Sequence, residues 1–186
     1  LSNAVAQLHK ETANKMWRKV RNRSEIIGIT NAIHIPTWVD SRMLELAEKY
    51  DGSAKAREEL WNRHMKNKRD LIDFVEKRTG VRLNPDALLI GFSRRAAPYK
   101  RSNLIFTDRK FIEPLLKSGK LQIVFSGKAH PLDDVGKRIV SDILEVTKLY
   151  PNSVVFLENY DMEIGRALTR GADVWLNNPR RPMEAS

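Results

Sequence analysis

The sequence predicts an α/β fold built on a doubly wound parallel sheet, and three observations predict it. From Ala87 onward, short apolar runs alternate with amphipathic helical stretches at the spacing of β-α units. The first of these runs, Ala87-Leu88-Leu89-Ile90, is apolar without interruption, as expected of a strand covered by helices on both faces. At 186 residues with 41% hydrophobic content, the chain can bury one ordinary core. A Rossmann-like sheet is the arrangement that satisfies all three.

The elements follow in order. Val5, Leu8, Met16, Trp17 and Val20 fall near one face of an opening helix, and Ile26 to Ile29 reads as a short strand. The change near residue 25 is the only domain boundary the sequence offers, with a helical segment over 1–24 and the β-α domain over 25–186. After a loop at Ile35-Pro36-Thr37, residues 41 to 50 and 53 to 78 have helical periodicity, and Gly80 stands where a helix end needs a left-handed residue. The alternating part then reads as strand Ala87 to Phe92, a helix from about Pro98, helix Asp108 to Leu116 and strand Leu121 to Phe125. It continues with helix Asp134 to Leu149, strand Ser153 to Leu157, helix Met162 to Thr169 and strand Asp173 to Leu176. No helical pattern follows the last loop, Asn177 to Ser186, so the final β-α unit is expected to be incomplete.

Composition narrows the chemistry. The formal net charge is +10, from 33 Lys and Arg against 23 Asp and Glu, which implies affinity for nucleic acid, a membrane surface or phosphate. Arg18 to Arg23 and Arg63 to Arg69 lie on helical patterns and read as solvated faces. Cysteine is absent, which excludes disulfides, thiolate metal sites and cysteine nucleophiles. The apolar runs are too short to span a bilayer and no secretory pattern opens the chain, so the cytoplasm is the expected compartment. His9, His34, His64 and His130 fall in no metal-binding spacing, and neither a nucleophile elbow nor a glycine-rich nucleotide loop follows any strand.

In doubly wound sheets ligands sit beyond the carboxyl ends of the strands, here after Ile90, Phe125, Leu157 and Leu176. The first of these loops gathers Arg94, Arg95, Lys100 and Arg101 within eight residues, at the expected start of a helix. Guanidinium forks match phosphate bidentately, and a helix N-terminus would add free N–H groups. Gly127-Lys128 in the second loop supplies close backbone approach and a charge, or is a plain turn. Tyr160 in the third stacks on a planar ligand or packs at the rim, and Glu184 in the last suits sugar hydroxyls or a helix's first turn.

Six segments, in order, resemble the α-glucan phosphorylases, particularly the shorter bacterial and archaeal members. They are Asn3-Ala4-Val5-Ala6-Gln7-Leu8-His9, the block Ile29 to Trp38, Arg94-Arg95 with Tyr99-Lys100-Arg101, Gly127-Lys128-Ala129, Glu158-Asn159-Tyr160, and Glu184-Ala185-Ser186. The resemblance implies a two-domain glycosyltransferase-B architecture, of which this chain is the tail of the first domain and an incomplete C-terminal half. It implies phosphorolysis of terminal α-1,4-linked glucose from glycogen or maltodextrin by orthophosphate, giving α-D-glucose 1-phosphate with retention. The cofactor it implies is pyridoxal phosphate, acting through its 5′-phosphate. In that family the run after Glu184-Ala185-Ser186 leads to the Schiff-base lysine, which lies outside this chain, so residues 1–186 alone are expected to be inactive.

By motif position, the resemblance puts Arg95 and Lys100 on the attacking orthophosphate and Arg94 on the cofactor phosphate, with Tyr160 and Trp38 around the cofactor ring. Asn31, Tyr99, Glu184, Ala185 and Ser186 match positions near the glucosyl hydroxyls. Ala97-Pro98, Asp161 and Ala32 depart from the longer members, which have a polar pair, arginine and glycine there. Neither a metal, a nucleic acid nor a membrane enters this expectation, and homo-oligomerisation is left open. Two rivals stand beside it: a nucleotide-sugar glucosyltransferase of the glycogen-synthase kind, which would bind ADP- or UDP-glucose without needing orthophosphate, and a basic nucleic-acid-binding module, which the charge alone would allow.

Overall fold

The computed structural model describes residues 2–181, 183 and 184. It divides into two compact units, Leu1–His34 with Pro179–Ser186, and Ile35–Asn178.

In the first unit, β1 (Asn3–Ala4) leads into α1 (Gln7–Met16), and the chain returns as β2 (Ile27–Gly28). β2 lies parallel to β1, with Asn3 opposite Ile27 and Ala4 opposite Gly28. The pairing runs on past the strands, because Ile29 N–H donates to the Ala4 carbonyl at 2.8 Å and Asn31 N–H to that of Val5 at 3.1 Å. Asn14 fastens the return: its amide donates to the Ile26 carbonyl at 2.8 Å and accepts from Ile26 N–H at 3.2 Å. These bonds keep the segments before and after residue 25 in one unit. The opening helix ends at Met16 rather than continuing to Val20.

The second unit begins with α2 (Ile35–Trp38), a single helical turn where a loop was expected. α3 (Ser41–Glu48) is capped by the Asp40 carboxylate, which accepts from Met43 N–H, and α4 (Ala54–Thr79) by the Ser53 hydroxyl, which accepts from Ala56 N–H. Gly80 closes α4 at φ 75, the left-handed position the sequence indicated. Then come β3 (Leu88–Ser93), α5 (Arg109–Lys117), β4 (Leu121–Ser126), α6 (Asp134–Leu149), β5 (Val154–Leu157), α7 (Met162–Gly171) and β6 (Val174–Trp175). All four strands run parallel in the order β5-β4-β3-β6. The α/β class and the parallel, Rossmann-like sheet thus follow the sequence expectation.

Period-two alternation in the strands divides the core between the two faces. Leu89, Val124, Val155 and Leu157 pack with Leu71, Ile72 and Val75 of α4 and with Ile164 and Leu168 of α7. Ile123, Phe125 and Val154 point the other way, onto Ile112 and Leu116 of α5 and Ile139 and Ile143 of α6. Each such fully buried side chain contributes about 1.5–3 kcal/mol. All six residues of β4 are buried, as its central place requires. Leu88 is the exception to the expectation of two-sided cover: at the first position of β3 it remains exposed.

A polar cluster locks the amino ends of β3 and β6 to α4. Lys68, almost wholly buried, donates to the Ala87 carbonyl at 2.7 Å and to Asp173 Oδ2 at 2.6 Å. The same oxygen accepts from Leu89 N–H at 2.8 Å, and His64 Nε2 lies 2.6 Å from Asp173 Oδ1. Among the described residues no helix is long and apolar enough to cross a membrane.

The helix expected from Pro98 is the main local difference. The chain makes two separate 3₁₀ turns, Pro98–Lys100 and Leu104–Phe106. Between them Arg101 adopts a left-handed backbone, φ 54, which ends the first turn. The expected helix N-terminus, with its dipole, is therefore not part of this loop.

Candidate functional site

β4 and β5 lie to one side of β3 and β6 lies to the other, so the direction of the chain reverses between β3 and β6. A crevice opens at such a reversal beyond the carboxyl ends of the strands. The loop after β3 and the loop after β6 are bonded across it. Arg94 Nη1 donates to Asn177 Oδ1, Arg101 Nε donates to the Asn178 carbonyl at 2.7 Å, and the Asn178 amide returns a bond to the Arg101 carbonyl at 3.3 Å. The Ser93 hydroxyl and Asn178 Oδ1 are both buried there with no hydrogen-bond partner among the described residues. Unmet polar groups at a crevice suit a polar ligand.

The cationic loop is held by its neighbours. The β3–β4 pairing continues beyond both strands, with Arg94 N–H donating to the Ser126 carbonyl at 3.3 Å and Ala96 N–H to that of Lys128 at 3.0 Å. Gly127, at φ 149, lies so close to the Arg94 carbonyl oxygen that a Cβ would overlap it. Gly136, in the first turn of α6, allows the Ala96 carbonyl within 2.5 Å of where its Cβ would stand. Lys100 is 7% exposed, and its Nζ sits 4.8 Å from the centroid of the Tyr99 ring, a cation–π contact. Arg94 and Tyr99 are half-buried, whereas Arg95 is exposed. The loop can thus offer one sheltered ammonium and several guanidinium groups to an anion.

The other sequence-indicated aromatics meet on α7. After β5, Asn159 turns the chain with a left-handed backbone, φ 56, a conformation asparagine tolerates better than most residues. Asp161 then caps α7 by accepting from Ile164 N–H at 2.9 Å. Tyr160, immediately before this cap, lies over Gly165 together with Trp38. A Cβ on Gly165 would stand 2.6 Å from the Tyr160 hydroxyl and 3.2 Å from Trp38 Cζ3. Two aromatic side chains thus converge over a bare glycine, and an aromatic face suits a flat ring compound. Asp161 and Gly165 were missed as site-builders, although an acidic residue just before a helical pattern and a glycine inside one were the signals.

Asn31 and Glu184 belong to the other unit. Asn31 is exposed and continues the β1–β2 pairing, and Glu184 is half-buried. Ala185 and Ser186 lie outside the described residues. His130 accepts from Leu132 N–H at 3.1 Å, a local turn contact. A cavity of about 590 Å³ runs along the outer edge of β5, lined by Arg78, Leu144, Lys148, Val154, Phe156 and neighbours. It contains none of the cationic or aromatic residues described above.

Comparison with known proteins finds relatives over nearly the whole chain. The family model described as carbohydrate phosphorylase matches residues 11–186. The maltodextrin phosphorylase of Thermococcus litoralis is 36% identical, over 99% of this chain and 27% of its own length. The glycogen phosphorylase of Aquifex aeolicus is 35% identical, over 98% of this chain and 32% of its own length. That of Mycobacterium tuberculosis is 30% identical, over 99% of this chain and 26% of its own length. The chain therefore spans about a quarter to a third of the curated relatives it matches.

Proposed function

We propose, from the premise that this chain belongs to the carbohydrate phosphorylase family, that it forms the phosphate- and cofactor-binding part of a glucan phosphorylase. The full-length enzyme cleaves terminal α-1,4-linked glucose from a glucan or maltodextrin with orthophosphate, releasing α-D-glucose 1-phosphate with retention of configuration. The sheet is most of the second Rossmann-like domain of a glycosyltransferase-B architecture. The observation that carries this reading is the cationic loop beyond β3, which bonds to the loop after β6 through Arg94 and Arg101 and in which Lys100 is buried against Tyr99.

The division of work follows from charge and shape. Arg95 and Lys100 grip the attacking orthophosphate, one from the open side of the loop and one from its sheltered side. Arg94, steadied by Asn177, neutralises a second phosphate. Two phosphates brought together repel, and concentrated positive charge in a sheltered site lowers that cost, so that the bound phosphate anion can face the positive charge of an oxocarbenium-like transition state. Trp38 and Tyr160 hold the ring of pyridoxal phosphate, a flat heteroaromatic group that suits the glycine-floored pair. When bound, this cofactor supplies a phosphate group beside the substrate phosphate. Tyr99 meets the glucosyl hydroxyls, and Asn31, Glu184, Ala185 and Ser186 match glucosyl-binding positions by the family resemblance alone. A portion that spans under a third of its relatives is not expected to turn over glucan by itself.

The test is phosphorolysis by the full-length enzyme with maltodextrin and orthophosphate. Release of α-D-glucose 1-phosphate that depends on orthophosphate and on pyridoxal phosphate supports the reading. Glucose transfer from ADP- or UDP-glucose without orthophosphate dependence would overturn it.

A further inference from the structure

We infer that Arg170 is a positioning residue for the cofactor pocket, acting through Trp38. This rests on the reading of Trp38 and Tyr160 as the ring-binding pair. Arg170 lies in the last turn of α7. Its guanidinium reaches back along the chain to the end of α2 and donates to three consecutive carbonyls: Thr37 from Nη2 at 3.2 Å, Trp38 from Nε at 3.2 Å, and Val39 from Nη2 at 2.9 Å.

The need for this clasp follows from the geometry of α2. A helix of four residues cannot satisfy its own C-terminal carbonyls, and its one turn has little strength to hold a direction. A guanidinium donates along several directions at once and brings a positive charge to the negative end of the helix, so it suits this task where an ammonium would engage fewer carbonyls. Asp40, the next residue, is held by Arg63 through Nε at 2.7 Å and Nη2 at 2.5 Å, which pins the chain just beyond the clasped turn.

The same helix that carries Arg170 carries Gly165, whose missing side chain leaves room for Trp38 Cζ3 and the Tyr160 hydroxyl. α7 therefore fixes Trp38 twice: Gly165 sets how close the indole lies, and Arg170 sets where its backbone is anchored. Tyr160 needs no such clasp, because it adjoins the capped start of α7 itself.

The experiment is a double-mutant cycle in the full-length enzyme, with Arg170→Gln, Trp38→Ala and the pair, read as the dissociation constant of pyridoxal phosphate. With Trp38 present, Arg170→Gln should weaken binding on the order of tenfold, the scale of one lost charge-assisted hydrogen bond. With Trp38→Ala already made, the same change should alter binding by less than about twofold, since the residue it positions is gone. Arg170→Lys should fall between Arg170→Gln and the unaltered protein, and it carries the comparison if the glutamine variant does not fold. Equal losses in both backgrounds, or no loss from either folded variant, would overturn the inference. Acrylamide quenching of the cofactor-free protein separates this from the function itself. The fluorescence lost on Trp38→Ala should be more accessible to quencher in the Arg170 variants, and this holds or fails even if the unaltered protein binds no pyridoxal phosphate, the result that would count against the proposed function instead.

Discussion

The carbonyl oxygen of Arg94 stands where a side chain on Gly127 would begin. This contact joins the loop after β3 to the loop after β4 and sets the backbone from which the cationic residues project. Gly127→Ala adds a clash to a backbone angle, φ 149, that other residues rarely adopt. It should cost about 1–3 kcal/mol in urea unfolding. In the full-length enzyme the KM for orthophosphate should rise together with this loss, because the loop must move to relieve the overlap.

Gly165→Val should disturb the aromatic pair from below. The added Cβ would stand 2.6 Å from the Tyr160 hydroxyl and 3.2 Å from the Trp38 ring, so one ring or the helix has to move. Overpacking of this kind costs about 1–3 kcal/mol. Binding of pyridoxal phosphate, followed by fluorescence titration, should weaken, and unchanged affinity would remove Trp38 and Tyr160 from the pocket.

Asp173 predicts a pH dependence of stability. Burial pushes its carboxyl up, but Lys68, His64 and the Leu89 N–H together outweigh that and hold it below its ordinary value. A carboxyl depressed in the folded state adds stability that is full above its unfolded value, near pH 4, and is lost as pH falls through the folded value. Asp173→Ala should cost about 3–5 kcal/mol near neutrality, since it leaves the Lys68 ammonium buried without a counter-charge. Urea midpoints measured between pH 7 and pH 3 should fall more steeply for the unaltered protein than for the variant.

Arg95→Ala in the full-length enzyme should raise the orthophosphate requirement and depress turnover together. Arg95 is exposed, so urea stability should change by less than about 0.5 kcal/mol. Unchanged phosphate kinetics would withdraw the role assigned to it.

The strands were legible because their signal is local. β3, β4 and β5 are apolar runs of four to six residues bounded by turn residues, and their pairing puts each close to where the sequence placed it. The turn at Gly80 was equally local. The segment after Pro98 was not, because what ends its first turn is Arg101, bonded to Asn178 some 77 residues away. Arg170 was invisible for the same reason: the carbonyls it gathers lie more than 130 positions earlier, and nothing in the arginine's own surroundings marks them. Asp161, noted in the sequence only as a departure from arginine, has a plain physical use as the cap of α7.

β3 is six residues long, and its two ends serve unlike purposes. Lys68 and Asp173 anchor it at the entrance, through the Ala87 carbonyl and the Leu89 amide, while Arg94 and the positive residues leave from the exit. The Lys68–Asp173 pair thus ties down the end of the strand opposite to the one that carries the cationic loop. On the proposed function, damage to that remote anchor should loosen the grip on phosphate without touching a single residue assigned to it.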